Sequence, residues 1–326
     1  MIPSLINALF IAILGGAALI GFAPVVFALL GRWKLPFACL FFIVCSLVPV
    51  KAIENGTNST YNTTAPTGTN IADWTTGWGN GSVTGWNYVG TVAVSGGYAS
   101  GVYLGNGWVL TAGHVGAGNF QLGGPTGPIY DAAGPGQGLH GSTADVWLFQ
   151  ISSSPSLPSL NIATSPPTAF SFLQAGSSVA MLGYGEAGGG TTTEAWGLNT
   201  VTQASETVDI QNTNFSSTDF ETAYGTTTSG LSSVINDYYL NSGDSGGGDF
   251  IYNSSLGEWQ LAGINEALDD NNDSFMIQLS SYESQIGAIT GVPEPSPVAF
   301  FGLGALALLG RWRIAPLRPG CWSIQL

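Results

Sequence analysis

Between Ala52 and Gly310 the chain has no lysine and no arginine. All six basic side chains, Arg32, Lys34, Lys51, Arg311, Arg313 and Arg318, lie near the ends, and within the stretch between them only His114 and His140 can carry positive charge. That same stretch holds all 20 acidic residues. Nucleic-acid binding needs a basic face, so that class is excluded. The body can form no Lys or Arg salt bridge, and any ion it binds should be a cation. Cysteine is also missing from the body: Cys39, Cys45 and Cys321 lie in the terminal segments. The body therefore carries no disulfide and no thiolate metal site, and must rely on a packed core. At about 240 residues it is long enough to build one. Charged residues are only 8% of the chain, too few for a coiled coil, a long helical bundle or a charged disordered tail. The 47 glycines have no three-residue period, so collagen is excluded too.

The two ends read as addresses. Residues 5–30 are almost wholly apolar, Gly31-Arg32-Trp33-Lys34 follows, and a second apolar run covers 35–49. The basic flank, the apolar core and Val50-Lys51-Ala52 as a small-x-small exit give signal-peptide grammar over about 31–52, with cleavage after Ala52. The first run is then either a membrane span, or unmade because translation starts later. Residues 53–73 are rich in Asn, Thr and Gly and read as a linker. At the other end, 292–326 holds Pro293-Glu294-Pro295, an apolar run from Val298 to Leu309, and Arg311-Trp312-Arg313. The apolar run is short for a span of about 20 residues. These three parts in this order resemble the PEP-CTERM sorting signal of bacterial exported proteins. That resemblance implies handling by exosortase-type machinery, membrane contact through the terminal segments before processing, and a final place in the cell envelope or outside it.

From Trp74 to about Ser280 short apolar or alternating runs are broken by Gly, Asn, Ser and Thr. Runs such as 88–94, 108–111, 146–151, 178–182, 198–201, 207–210, 259–264 and 275–279 are rich in Val, Trp, Tyr and Thr. Spacing by turn signals makes this an all-β barrel or sandwich. Only 281–290 reads as helix.

Three segments carry chemistry. Ser245 stands in Asn241-Ser242-Gly243-Asp244-Ser245-Gly246-Gly247-Gly248, where glycines permit a tight turn, an exposed hydroxyl and converging N–H groups. His114 ends the run Trp108-Val109-Leu110-Thr111-Ala112-Gly113-His114. Asp145 opens the apolar run Val146-Trp147-Leu148-Phe149, which shields a carboxylate of the kind that orients a histidine. Asp131 is the rival orienter, but its loop, 128–136, offers no such shield.

These segments, in the order His, Asp, Ser, resemble the histidine, aspartate and serine motifs of the chymotrypsin/trypsin-like serine peptidases. Trp259-Gln260-Leu261-Ala262-Gly263-Ile264 resembles the strand that walls their specificity pocket. The resemblance covers about 85–290. It implies two perpendicular six-stranded β-barrels, here 74–165 and 166–291 with a short C-terminal helix, and a site between them. It also implies roles. Ser245 attacks the scissile carbonyl, His114 is the base, Asp145 holds the imidazole, and the N–H groups of Gly243 and Ser245 form the oxyanion hole. Tyr239, Ser242, Ile264, Asn265 and Glu266 fall at the substrate pocket.

The chain departs from the family in lacking its cysteines and an Ile-Val-Gly-Gly start. Tyr239 stands where basic-specific members keep an acid, and Glu266 is in an unfamiliar place. Asp244, which in many members meets a released N-terminal ammonium, has few cations to meet here. It must collect hydrogen bonds or take up a proton. The acidic run Asp269-Asp270-Asn271-Asn272-Asp273 has calcium-type oxygens, but its spacing is not that of the twelve-residue calcium loop. No other cofactor is expected. The function expected is an exported serine endopeptidase acting on polypeptides. The alternatives are a non-catalytic surface or matrix protein on the same fold, and an esterase-like acyl hydrolase.

Overall fold

The computed structural model describes residues 53–55, 61–78, 83–171, 174–187, 191–211, 213–224 and 238–292. The segments read as an export region, 1–52, and as a sorting signal, 292–326 apart from Val292, lie outside them. No helix among the described residues is long and apolar enough to cross a membrane.

Strands dominate. A short β1 (Glu54–Asn55) comes first. Then β2 (Val89–Val94), β3 (Gly97–Gly105), β4 (Trp108–Ala112), β5 (Phe120–Leu122), β6 (Ile129–Tyr130), β7 (Gln137–Gly138) and β8 (Val146–Gln150) form one seven-stranded antiparallel sheet, ordered β6-β5-β2-β3-β4-β8-β7. This sheet is a half-barrel rather than the closed six-stranded barrel expected, because its edges are the two-residue strands β6 and β7.

The second half begins with β9 (Ser178–Gly183), the small hairpin of β10 (Glu186–Ala187) and β11 (Thr191–Thr192), and β12 (Ala195–Asp209). It continues with β13 (Ser216–Thr222), β14 (Tyr238–Tyr239), β15 (Gly248–Asn253), β16 (Glu258–Leu268) and β17 (Ser274–Gln278), and ends in helix α1 (Glu283–Thr290). Here β12-β13-β17-β16-β15-β9 close into a six-stranded barrel.

The sequence runs 198–201 and 207–210 turn out to be one strand, β12. Ser205 adopts a left-handed φ of 58°, and the register with β13 shifts between Gln203 and Glu206. This is a bulge inside a continuous strand.

One apolar core joins the sheets, with Val102, Leu104 and Leu110 of the first packed with Leu182, Phe250 and Leu261 of the second. A second cluster fills the barrel around Val179, Met181, Phe220 and Met276. Burying each such side chain is worth about 1.5–3 kcal/mol, which is how a body without disulfides holds together.

The segment read as a linker packs against this body where it is described. Ile53 is fully buried, β1 pairs with β14, and Trp196 Nε1 donates to Thr64 O. Just beyond it, Trp74 is buried with its ring 4.9 Å from Trp78 and 5.1 Å from Trp259.

Candidate active site

β4 and β8 run side by side with Ala112 opposite Val146, so the residues just past these ends meet. Gly113 N donates to Asp145 O at 2.9 Å, and a Cβ on Gly113 would lie 2.8 Å from Asp145 Oδ1. The glycine thus lets the carboxylate approach the next residue twice. His114 N donates to Asp145 Oδ1 at 2.7 Å, and His114 Nδ1 lies 2.6 Å from Asp145 Oδ2. Asp145 is fully buried, while the His114 side chain keeps 30% of its exposure. A buried acceptor at Nδ1 fixes the proton there and leaves Nε2, on the other edge of the ring, as an acceptor. Asp131 is not in this contact; its carbonyl instead accepts from Ser152 N.

Burial alone would lower the His114 pKa. The hydrogen bond and charge of Asp145 outweigh it, with a smaller push from Glu266, and the net shift is upward from the ordinary 6.5.

The serine loop lies against the end of β4. Gly243 and Gly246 have φ of 92° and 83°, which side-chain-bearing residues rarely adopt. A Cβ on Gly246 would collide with Thr111 Oγ1 and lie 3.0 Å from Ala112 N. Ser245 O accepts from Ser100 N at 2.9 Å, and Gly243 O accepts from Ser100 Oγ at 2.9 Å. The chain leaves the loop through Gly246 N, which donates to Asn265 O at 2.8 Å. These contacts bring Gly246, next to Ser245, against Ala112, two residues before His114. Among the described contacts Ser245 Oγ makes no hydrogen bond, so its closure onto Nε2 is not formed in this state; such bonds often tighten only with substrate.

Asp244 is fully buried and meets no cation among the described residues. Its oxygens accept from Gly185 N and Asn241 N, each at 2.9 Å. Burial, only partly offset by these bonds, pushes its pKa up to about 8. Ile71, the residue nearest to where the family's mature chains begin, is buried with its N–H on Thr67 O.

The residues expected at the substrate pocket separate into two groups. Ser242 is exposed, and Tyr239 is half-buried with its ring 5.1 Å from that of Tyr224. Ile264, Asn265 and Glu266 are buried. Asn265 Nδ2 donates to Leu182 O and Asp244 O, so this side chain braces the serine loop.

Glu266 faces the histidine's carboxylate from behind. Its Oε1 accepts from Ser217 Oγ at 2.8 Å, and that same hydroxyl accepts from Asp145 N at 2.9 Å. Asp219, on β13 beside Ser217, has neither oxygen bonded to an N–H or O–H donor. The carboxyls of Glu266, Asp145, Glu206 and Asp249 are its acidic neighbours, and Glu266 Oε2 likewise has no hydrogen-bond partner among the described residues. Burial first, then their mutual repulsion and Asp145, hold the protons of Asp219 and Glu266 well above the carboxylate range. Burial thus favours the uncharged form of Glu266, which weakens its upward push on His114.

Ser217 and Asp219 escaped the sequence reading because their run, Ser216–Thr222, is mostly polar. The one signal was Ser217, Asp219 and Glu221 at period two.

The acidic run 269–273 forms the turn between β16 and β17. Asp269 Oδ1 accepts from Asn271 N and Asp273 N, and Asp273 Oδ1 accepts from Tyr224 N. The Asp269 oxygen is taken up by the turn's own donors and the Asp273 oxygen by Tyr224 N from another segment. Among the described residues no group of three or more His, Cys, Asp or Glu is placed to hold a metal ion.

The sequence matches the Trypsin family over residues 77–286. Among solved structures, the chain is similar to the Rv3671c protease of M. tuberculosis in its inactive form, at 18% identity and a TM-score of 0.44, covering 62% of this chain and 89% of that one. It is also similar to the MamO protease domain from Magnetospirillum magneticum, at 18% identity and a TM-score of 0.42, covering 61% and 95%. A third is the serine endoprotease from Yersinia pestis, at 20% identity and a TM-score of 0.41, covering 63% and 62%. No curated protein matches the sequence.

Proposed function

This chain belongs to the trypsin family and is a serine-type endopeptidase, and we propose that it is an exported one that cuts polypeptides through His114, Asp145 and Ser245. The observation that carries the assignment is the 2.6 Å contact between His114 Nδ1 and a fully buried Asp145. It supports the tautomer whose Nε2 can take a proton.

In this reading Ser245 Oγ attacks the scissile carbonyl and its proton passes to His114 Nε2. The N–H groups of Gly243 and Ser245 hold the oxyanion. The tetrahedral species collapses to an acyl-enzyme as His114 returns the proton to the leaving amine. Water, activated by the same imidazole, then releases the acid. Asp145 stabilises the imidazolium throughout without taking its proton. Tyr239 and Ser242, at the rim, border the side chain before the cut, while buried Glu266 serves Asp145.

The terminal segments support export by a signal peptide at about 31–52 and sorting through a PEP-CTERM tail handled by exosortase-type machinery. The protein then acts in the envelope or outside the cell. The test is cleavage profiling of a peptide library with purified protein starting at Ile53. The expected result is defined cleavage sites that vanish in Ser245→Ala. Cleavage that survives this substitution contradicts the assignment.

A further inference from the structure

Beside the serine loop lies a cavity of about 530 Å³, walled by Trp86, Tyr98 and Tyr184 with Glu194 among its lining residues. Glu194 is only 8% exposed. Its Oε2 accepts from Tyr184 Oη at 2.6 Å, while Oε1 is buried without a hydrogen-bond partner among the described residues. A buried carboxyl with one idle oxygen calls for a proton or a cation. The body has no Lys or Arg to offer, so a cation must come from outside. Three aromatic rings lining the same cavity as one carboxyl suit an organic cation, which gains from ring faces as well as from the charge. A metal ion would want more oxygen ligands than this.

We propose that this cavity binds the ammonium or guanidinium of a Lys or Arg side chain in the polypeptide substrate, with Glu194 as counter-ion and Trp86, Tyr98 and Tyr184 as walls. The proposal rests on the peptidase reading for its choice of substrate over a free amine.

Position supports that choice. Tyr184 N donates to Ser100 Oγ at 2.8 Å, and Ser100 N donates to Ser245 O at 2.9 Å. One residue thus links the cavity wall to the nucleophile. Tyr98 lies two residues before Ser100 on β3, on the same face and about 7 Å along the strand. A chain lying across Ser245 has this cavity within reach of a nearby side chain.

Burial raises the Glu194 pKa well above the ordinary carboxylate value despite the Tyr184 bond. The other titratable groups lining the cavity are Tyr98 and Tyr184. An entering cation favours the carboxylate, so binding releases a proton from Glu194 and tightens as pH rises.

The experiment uses Ser245→Ala protein, which cannot turn over, and two peptide series scanning Lys or its neutral isostere norleucine through each position around a cut site. Calorimetry in buffers of different ionisation heat reads affinity and proton release. One position is expected to favour Lys by at least tenfold, with proton release. Glu194→Gln, which keeps an acceptor for Tyr184, should abolish both, and Tyr98→Leu on the exposed wall should weaken the preference several-fold. Equal affinity for Lys and norleucine everywhere overturns the proposal, as does a Lys preference unchanged in Glu194→Gln. Binding of n-butylammonium without any positional Lys preference also overturns it, because the occupant is then not the substrate. Hydrolysis by the unsubstituted protein is measured alongside. A Glu194-dependent Lys preference without any cleavage contradicts the peptidase reading and leaves the cation site standing. Cleavage without that dependence contradicts the cation site alone.

Discussion

Asp145 and Glu266 are joined through a single hydroxyl: Ser217 Oγ accepts the Asp145 N–H at 2.9 Å and donates to Glu266 Oε1 at 2.8 Å. The carboxylate that orients His114 is thus positioned from the second barrel. Ser217→Ala leaves a buried N–H and a buried carboxyl each without this partner. Unmade buried hydrogen bonds cost about 1–3 kcal/mol each. Denaturant unfolding should register that loss, and kcat/KM should fall about tenfold, equivalent to roughly 1.4 kcal/mol.

Glu266→Gln distinguishes a neutral Glu266 from an ionised one. Glutamine keeps the acceptor for Ser217 Oγ and cannot carry a negative charge. The kcat/KM midpoint of His114 should therefore stay in place. A clear fall in that midpoint would mean that Glu266 carries charge beside Asp145.

Activity should rise with pH as His114 loses its proton, since only the neutral imidazole is a base. Asp145 holds that ionisation above the ordinary 6.5 despite burial. The kcat/KM profile is the check, with an acid-side midpoint above 6.5 expected.

Stability should run the other way. Asp244 has a folded pKa of about 8 against an ordinary 3.8. Between these values the folded state holds a proton that the unfolded state has released. The contribution is complete below the unfolded value and is lost as pH rises to about 8. Each such group weakens the fold by up to about 1.4 kcal/mol per pH unit in its window. Asp249, fully buried with both oxygens unpartnered among the described residues, is raised by burial and then by Asp244, and adds in the same direction. Denaturant midpoints at pH 5, 7 and 9 should fall in that order.

Trp74→Ala should cost about 3–5 kcal/mol, the range for emptying a buried aromatic site. The ring lies among Trp78, Phe250 and Trp259, so the loss also frees the N-terminal segment from the second barrel. Thermal unfolding measures the first effect and limited proteolysis near Trp74 the second.

The His114–Asp145 contact was legible in the sequence, and Ser245 stood out as their candidate partner, because each sits in a short motif whose glycines or apolar neighbours have a local reason. Most strands were legible from alternation. The rest depended on contacts between distant segments. Ser205 falls in the gap between the runs 198–201 and 207–210, and only pairing with β13 makes that gap a bulge inside one strand. Ser217 and Asp219 lie on a polar strand whose burial comes from Glu266 and Asp145 across the fold. The 53–73 composition suggests a free linker, yet Ile53 is buried by residues of the second barrel. Glu194 and Tyr184 meet only because β9 and β12 are neighbours in that barrel.

The most direct measurement is labelling of the purified protein with a fluorophosphonate, followed by mass spectrometry of the modified peptide. Only a serine activated by its histidine reacts at a useful rate. The account predicts one label per chain, on Ser245, lost in His114→Ala and strongly slowed in Asp145→Asn. No labelling of correctly folded protein, or a label on another residue, would contradict it.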